Sequence, residues 1–394
     1  MLTYYRRLFP FKSLYTWLNH GHTSTRKFTH REFAFTLPGD VYLRYHSFNS
    51  AEELKKQVLQ FNPSRFEIGP IYSARPRDKK TVRGAEFYPM QRELVFDIDM
   101  TDYDPIRTCC SEANICKRCW AFISAAVRVL DAAIREEFGY SKLVWIYSGR
   151  RGIHLWISDK EAMELTDEQR KALVGWLTVV PGGKESSKRL NIHNSSGRLA
   201  PGLQSALDYL KTIFVELVLR NQDCFRTEEG YEKLLQCIPD SSVVSALREK
   251  WEDNPSRSSE KKWSDLSAYK SQRNVLHAME DIIIQYTYPR IDAEVSKHRN
   301  HLLKAPFCVH PKTGRVCVPL DPESLLNFDP ESVPTVGQLL QELDSIPRTD
   351  DQAKEFHSDW EKTSLKPYVD ILDKHSSRIM EDVRTEKRKM DMSW

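Results

Sequence analysis

Between Glu93 and Met100 the chain reads Glu93-Leu-Val-Phe-Asp-Ile-Asp-Met100, a run that would pass for a buried strand but for two carboxylates. The twofold period of a strand places Leu94, Phe96 and Ile98 on one face and Val95, Asp97 and Asp99 on the other. Two like charges at that spacing repel, and each raises the pKa of the other unless a cation sits between them. The pair is therefore costly by itself and useful around a divalent metal. An exposed edge strand with both acids in water satisfies the same pattern, so the neighbouring sequence has to decide.

The surroundings are unevenly charged. Residues 97 to 104 hold Asp97, Asp99, Asp102 and Asp104 with no basic residue, whereas residues 296 to 315 hold Lys297, Arg299, Lys304, Lys312 and Arg315 with no acid. Brought together by a fold, these segments make a site for a metal and an anionic substrate, a division that the net charge of +3 conceals. At 394 residues the chain is long enough for two or three domains or subdomains. No apolar run approaches the length needed to cross a bilayer, and no apolar stretch follows the basic N-terminus as a secretory signal requires. An intracellular chain with no membrane association is expected, in which eight cysteines do not form a disulfide framework.

Strand and helix patterns alternate along the first part of the chain. A helix is expected over 11–19, then strands over 32–37 and 41–46 joined by Pro38-Gly39-Asp40, which has hairpin chemistry. A helix over 51–60, a strand over 66–72 and a polar loop from Arg75 to Lys80 precede the acidic strand. Trp120, Ile123, Val127, Leu130, Ile134 and Phe138 then recur at steps of three and four, and Gly139 stops that helix. Two strands, 142–147 and 153–157, flank Ser148-Gly-Arg-Arg-Gly152, which completes a mixed α/β core. Helical periodicity returns over 203–220. Strand character is expected over 289–295, with Asp292 and Glu294 opposite Ile291, Ala293 and Val295, and again over 315–320. The charged tail from 350, ending in Arg384 to Lys389, suits a surface helix or a disordered tail.

Three further groups of residues carry chemistry. Cys109, Cys110, Cys116 and Cys119 offer four thiols, and the C-x2-C spacing lets two thiolates share a tetrahedral zinc. Two ligands with two buried thiols would also fit, and a closed four-sulfur site would be structural because it leaves no position for water. Ser148-Gly-Arg-Arg-Gly152 with His154 could bring backbone amides, two guanidinium forks and an imidazole onto a triphosphate. It could equally be a solvated basic hairpin, and it is no Walker loop. Lys304 and His310 follow Asp292 and, taken alone, could be surface residues.

Four blocks, taken in order, resemble one family closely. They are Tyr4-Tyr-Arg-Arg-Leu-Phe-Pro10, residues 94–104 with the cysteine cluster, Tyr147-Ser-Gly-Arg-Arg-Gly-Ile-His154, and the segment from Asp292 to Pro319. Together they resemble the catalytic small subunit family of eukaryotic DNA primase, within the archaeo-eukaryotic primase superfamily. The resemblance implies that Asp97, Asp99 and Asp292 hold two catalytic Mg²⁺ or Mn²⁺ ions, hard cations suited to oxygen ligands. It implies NTP-binding roles for Ser148, Arg150, Arg151, His154, Lys304 and His310, and for Glu32, Tyr42 and Arg44. Glu67 stands where relatives can place an Asp near the ribose 2′-hydroxyl, and Cys109, Cys110, Cys116 and Cys119 would hold one structural Zn²⁺.

The fold so implied is a primase-type catalytic core of mixed sheets flanked by helices, with a helical insertion and a small zinc site. Residues 1–160, including the zinc motif 109–119, would form the first part of the core, 161–275 the insertion, and 276–345 the second part. Residues 346–394 would form the charged C-terminal helix or tail. The implied function is synthesis of short RNA primers on a single-stranded DNA template from NTPs. A primase large subunit carrying an iron-sulfur domain and the DNA polymerase alpha complex would be the partners, in the nucleus. A repair-type primase-polymerase preferring deoxynucleotides, or a non-catalytic zinc-bearing assembly subunit, are the alternatives.

Overall fold

The structure, a computed structural model, describes residues 1–181, 190–345 and 359–391. Its strands are β1 (Arg31–Thr36), β2 (Tyr42–His46), β3 (Arg65–Tyr72), β4 (Pro89–Gln91), β5 (Leu94–Asp99), β6 (Leu143–Tyr147), β7 (Gly152–Ile157), β8 (Val180–Pro181), β9 (Arg290–Ile291), β10 (Leu303–Lys304) and β11 (Pro319–Leu320). Helices between them make this a mixed α/β protein. The backbone divides into two compact units, each made of separated segments. Met1–Asp97, Tyr140–Val174 and Ala293–Trp394 form the first, and Ile98–Gly139 with Gly175–Asp292 form the second.

In the first unit one antiparallel sheet runs β10-β3-β1-β2, with β4 paired to β3 beyond β10. Period-2 alternation explains its two faces. Phe33 and Phe35 of β1 point inward, where Phe33 meets Phe28 and Phe48 and Phe35 meets Phe61 and Phe66. Glu32, Ala34 and Thr36 take the other face. The β1–β2 turn carries Gly39 at φ 77° and Asp40 at φ 58°, which suits the hairpin expected there. A second sheet runs β11-β6-β7-β5. Helix Phe11–Asn19 covers it with Trp17, edge-on to Trp156 at 5.3 Å, while the Trp17 indole donates to Ser158 Oγ at 3.1 Å.

The second unit is mostly helical. In helix Lys117–Glu136 the periodic residues Trp120, Ile123, Val127, Leu130 and Ile134 are all buried, and Gly139 follows at φ 72°. Helix Pro201–Phe214 runs on into a π-helical turn, Val215–Asn221. Helix Arg273–Thr287 leads to β9, which pairs in parallel with β8. The helical stretch expected over 161–275 contributes its residues from 175 onward to this unit, and its segment 182–189 lies outside the described residues.

The strand expected over 289–295 is corrected by the structure. Only Arg290 and Ile291 are extended, and Ala293–Lys297 is a helix with Asp292 directly before it. Asp is favoured at that position, and β8 offers β9 only two residues of pairing, so the alternate-face reading of 291 to 295 does not hold. Likewise 315–320 is strand only at β11, with single bridges from Val316 to Val309 and from Arg315 to Thr335 upstream. Of the tail, 346–358 and 392–394 lie outside the described residues. Helix Lys366–Asp391 buries Val369, Leu372 and Ile379. No helix among the described residues is long and apolar enough to cross a membrane.

Candidate active site

The basic turn is the β6–β7 hairpin loop. Ser148 N–H donates to Gly152 O at 2.9 Å and Gly152 N–H donates to Ser148 Oγ at 3.0 Å, closing the loop on itself. Gly149 has φ 87°, and a Cβ there would lie 2.7 Å from His310 Cβ. Glycine therefore lets the His310 segment pack directly on the turn. Lys304 Nζ donates to Ser148 O at 2.5 Å, tying β10 of the first sheet to the hairpin of the second. His310 is neutral at pH 7. Burial, then Lys304, Arg150, Arg151 and Arg65, lower its pKa to about 4. Its Nδ1 accepts from Lys312 N–H at 3.3 Å, so the ring proton sits on Nε2.

The polar face of the first sheet continues this cluster. Lys304 pairs with Glu67 across β10 and β3, and Glu67 with Ala34 across β3 and β1, so their side chains share a face. Tyr42 Oη donates to Glu67 Oε2 at 2.6 Å, and burial, then Glu67, push its phenol well above the ordinary value. Glu32 is fully buried. Arg44 grips it with two bonds of 2.9 and 3.1 Å, and Tyr45 N–H and Tyr72 Oη also donate to it. Its oxygens are thus spent on orienting Arg44, which leaves the guanidinium as the group available to an anion.

The acids divide between the units. Asp97 belongs to the first, with His154 Nε2 at 3.6 Å from its Oδ1 on the neighbouring strand β7. All ten residues expected to bind NTP lie in this unit as well. Asp99 and Asp292 belong to the second. Asp99 Oδ1 caps the turn Met100–Tyr103, accepting from Thr101 N–H at 2.9 Å and Thr101 Oγ1 at 2.8 Å. Asp292 is exposed.

Two groups escaped sequence reasoning. Arg31 makes a bidentate pair with Glu93, both bonds 2.8 Å and both side chains fully buried. Arg92 adds a 3.2 Å bond to the same carboxylate and lies 4.8 Å over the Trp156 ring. Arg170 donates to the carbonyls of Arg92, Glu93 and Ala162. Burial pushes the Glu93 carboxyl up, but Arg31 and Arg92 outweigh it and hold the pKa at about 2. The signal was present, since Glu93 shares the strand face of Asp97 and Asp99. The second group is Arg290, buried two residues before Asp292. It donates to Asp102 O at 2.9 Å, and its N–H donates to Tyr103 Oη at 3.1 Å, fastening β9 to the turn that Asp99 caps.

The four thiols Cys109, Cys110, Cys116 and Cys119 lie within 4.8 Å of one another, and the Cys116 and Cys119 sulfurs are 3.9 Å apart. Tetrahedral zinc with bonds of about 2.3 Å sets sulfurs close to that distance, so the cluster could bind a zinc ion. A hydrogen bond with Cys119 lowers the Cys109 thiol to about 5 despite burial, and Gln222 Nε2 donates to it at 3.3 Å. Donors aimed at sulfur favour the thiolate that a metal needs.

Residues 96–322 match the family described as DNA primase small subunit. A DNA primase small subunit of Schizosaccharomyces pombe is 48% identical over 417 aligned positions, covering 99% of this chain and 91% of that protein. Those of Saccharomyces cerevisiae and Drosophila melanogaster are each 39% identical, covering 96% and 90% of this chain and 91% and 82% of their own lengths. The chain belongs to the DNA primase small subunit family, as represented in eukaryotes.

Proposed function

We propose that this chain is the catalytic subunit of a primase, synthesising short RNA primers on single-stranded DNA from NTPs in the nucleus. The observation that carries the reading is the hairpin Ser148 to Gly152, against which Lys304 and His310 pack, in a chain of this family. Arg150, Arg151 and Lys304 would hold the triphosphate by charge-assisted hydrogen bonds, with His310 donating from Nε2. Arg44, oriented by Glu32, would add to that grip, while Tyr42 and Glu67 would face the ribose. Asp97, Asp99 and Asp292 supply the hard oxygen donors that suit two Mg²⁺ or Mn²⁺ ions. When bound, such ions supply activation of a 3′-hydroxyl and neutralisation of a pyrophosphate leaving group. His154, beside Asp97, would orient that carboxylate.

Cys224, Cys237, Cys308 and Cys317 are scattered in sequence, so an iron-sulfur cluster would come from a large-subunit partner, with DNA polymerase alpha taking over the primer. The test is an Asp97→Ala, Asp99→Ala double variant on an oligo-dT template. Primer synthesis should fall by at least about a thousandfold while the melting temperature stays within a few degrees. A folded double variant that still primes refutes the mechanism. Extension from deoxynucleotides alone, with ATP inert, refutes the RNA-primer reading.

A further inference from the structure

The loop joining β3 to β4 is basic and largely exposed. Over residues 75 to 83 it carries Arg75, Arg77, Lys79, Lys80 and Arg83 against one acid, Asp78. Arg77 is committed to Glu53 at 3.0 Å. Arg75, Lys80 and Arg83 are exposed, and their side chains have no hydrogen-bond or ion-pair partner among the described residues. Structural ion pairing does not explain them. The end of the same connection and β4 carry two exposed large side chains, Tyr88 at 53% and Met90 at 44%. Cations set among open aromatic and thioether faces are what a single strand requires, because phosphates take the charge and bases take the flat surface.

The loop also leads toward the nucleotide cluster through side-chain contacts. Lys79 Nζ sits 3.5 Å over the Tyr45 ring, and Phe87 stacks on Tyr72 at 4.2 Å with the planes 8° apart. Tyr72 Oη donates to Glu32, the residue that orients Arg44. A strand lying on the loop would therefore run toward the residues assigned to the incoming nucleotide, as a template must. We propose that Arg75, Lys80, Arg83 and Tyr88 form the surface that takes the single-stranded DNA template. This rests on the primase reading above.

An Arg75→Ala, Lys80→Ala, Arg83→Ala triple variant in the full chain tests it, because these side chains support nothing and the variant should melt normally. Anisotropy with dye-labelled oligo-dT should show at least about a tenfold rise in Kd, with a salt slope shallower by about 2, from roughly 0.7 per single-strand phosphate contact. In primer synthesis the template concentration for half-maximal rate should rise similarly. KM for ATP and the rate at saturating template should stay within about twofold of the wild type. Tyr88→Ala should weaken oligo-dT about tenfold with an unchanged salt slope. Unchanged Kd and template dependence in a folded triple variant overturn the proposal. So does an equal rise in KM for ATP, which would make the loop a nucleotide site, or a defect seen only on a pre-primed duplex. A wild-type chain that cannot prime on oligo-dT rejects the primase reading instead, whatever the variants do.

Discussion

Gly149 decides whether the basic turn can exist in its present form. Its φ of 87° is strained for any side chain, and a Cβ would meet His310 Cβ at 2.7 Å and Arg315 O at 3.2 Å. Gly149→Ala should therefore cost about 1–3 kcal/mol in a urea melt and raise KM for NTP more than it lowers kcat. Glycines bracketing two arginines were legible in the sequence; the His310 segment that presses on Gly149 was not, because nothing local marks so distant a neighbour. His310 itself offers a second test. Its pKa of about 4 lies below the ordinary 6.5, so the unfolded chain takes up a proton first. The stability tied to its neutral form is complete above pH 6.5 and is lost as pH falls from there toward about 4. A triphosphate laid among Lys304, Arg150 and Arg151 would offset the cations that disfavour its protonation. Its imidazole resonances should then titrate at higher pH with a non-hydrolysable NTP than without. An unmoved midpoint would place the triphosphate elsewhere.

Strand β5 is held at its base by charge as well as by hydrogen bonds. Removing one partner from a buried pair costs about 3–5 kcal/mol, because the remaining charge is left without compensation. Glu93→Gln would leave Arg31 and Arg92 in that state, so a loss in this range is expected in denaturant melts. Asp97→Ala, on the same strand but part-exposed, should cost far less. The pH dependence has a definite sign. Glu93 titrates at about 2 against an ordinary 4.5, so its contribution is present above pH 4.5 and is lost as pH falls from 4.5 to about 2. The variant should flatten that part of the stability profile. At this scale the sequence was informative wherever one face of an element is apolar over several residues, as in β1, β5 and helix Lys117–Glu136. It misled at 289–295, where two residues of pairing with the distant β8 decide where strand gives way to helix. Periodicity over so short a segment cannot register that partner.

The whole chain weaves between two compact units, crossing at residues 97, 139, 174 and 292, and two of those crossings fall on aspartates proposed as metal ligands. Each unit's core joins segments far apart in sequence. The two proposed donor sets predict separable behaviour toward metals. Carboxylates at Asp97, Asp99 and Asp292 would bind hard cations weakly and reversibly, with no part in holding the fold. Four thiols at the start of helix Lys117–Glu136 would bind zinc tightly, and the free energy of that binding would be folding free energy. Transfer into Mg²⁺-free buffer should therefore stop primer synthesis while leaving one zinc per chain by mass spectrometry and an unchanged melting temperature. Mg²⁺ or Mn²⁺ should restore the rate. Cys116→Ser should do the reverse, losing zinc and lowering the melting temperature by several degrees, with residual synthesis at low temperature that still requires Mg²⁺. If zinc-free protein melts at the wild-type temperature, the cysteines have no structural role. If Mg²⁺ removal lowers the melting temperature, the aspartates belong to the scaffold as well as to the chemistry.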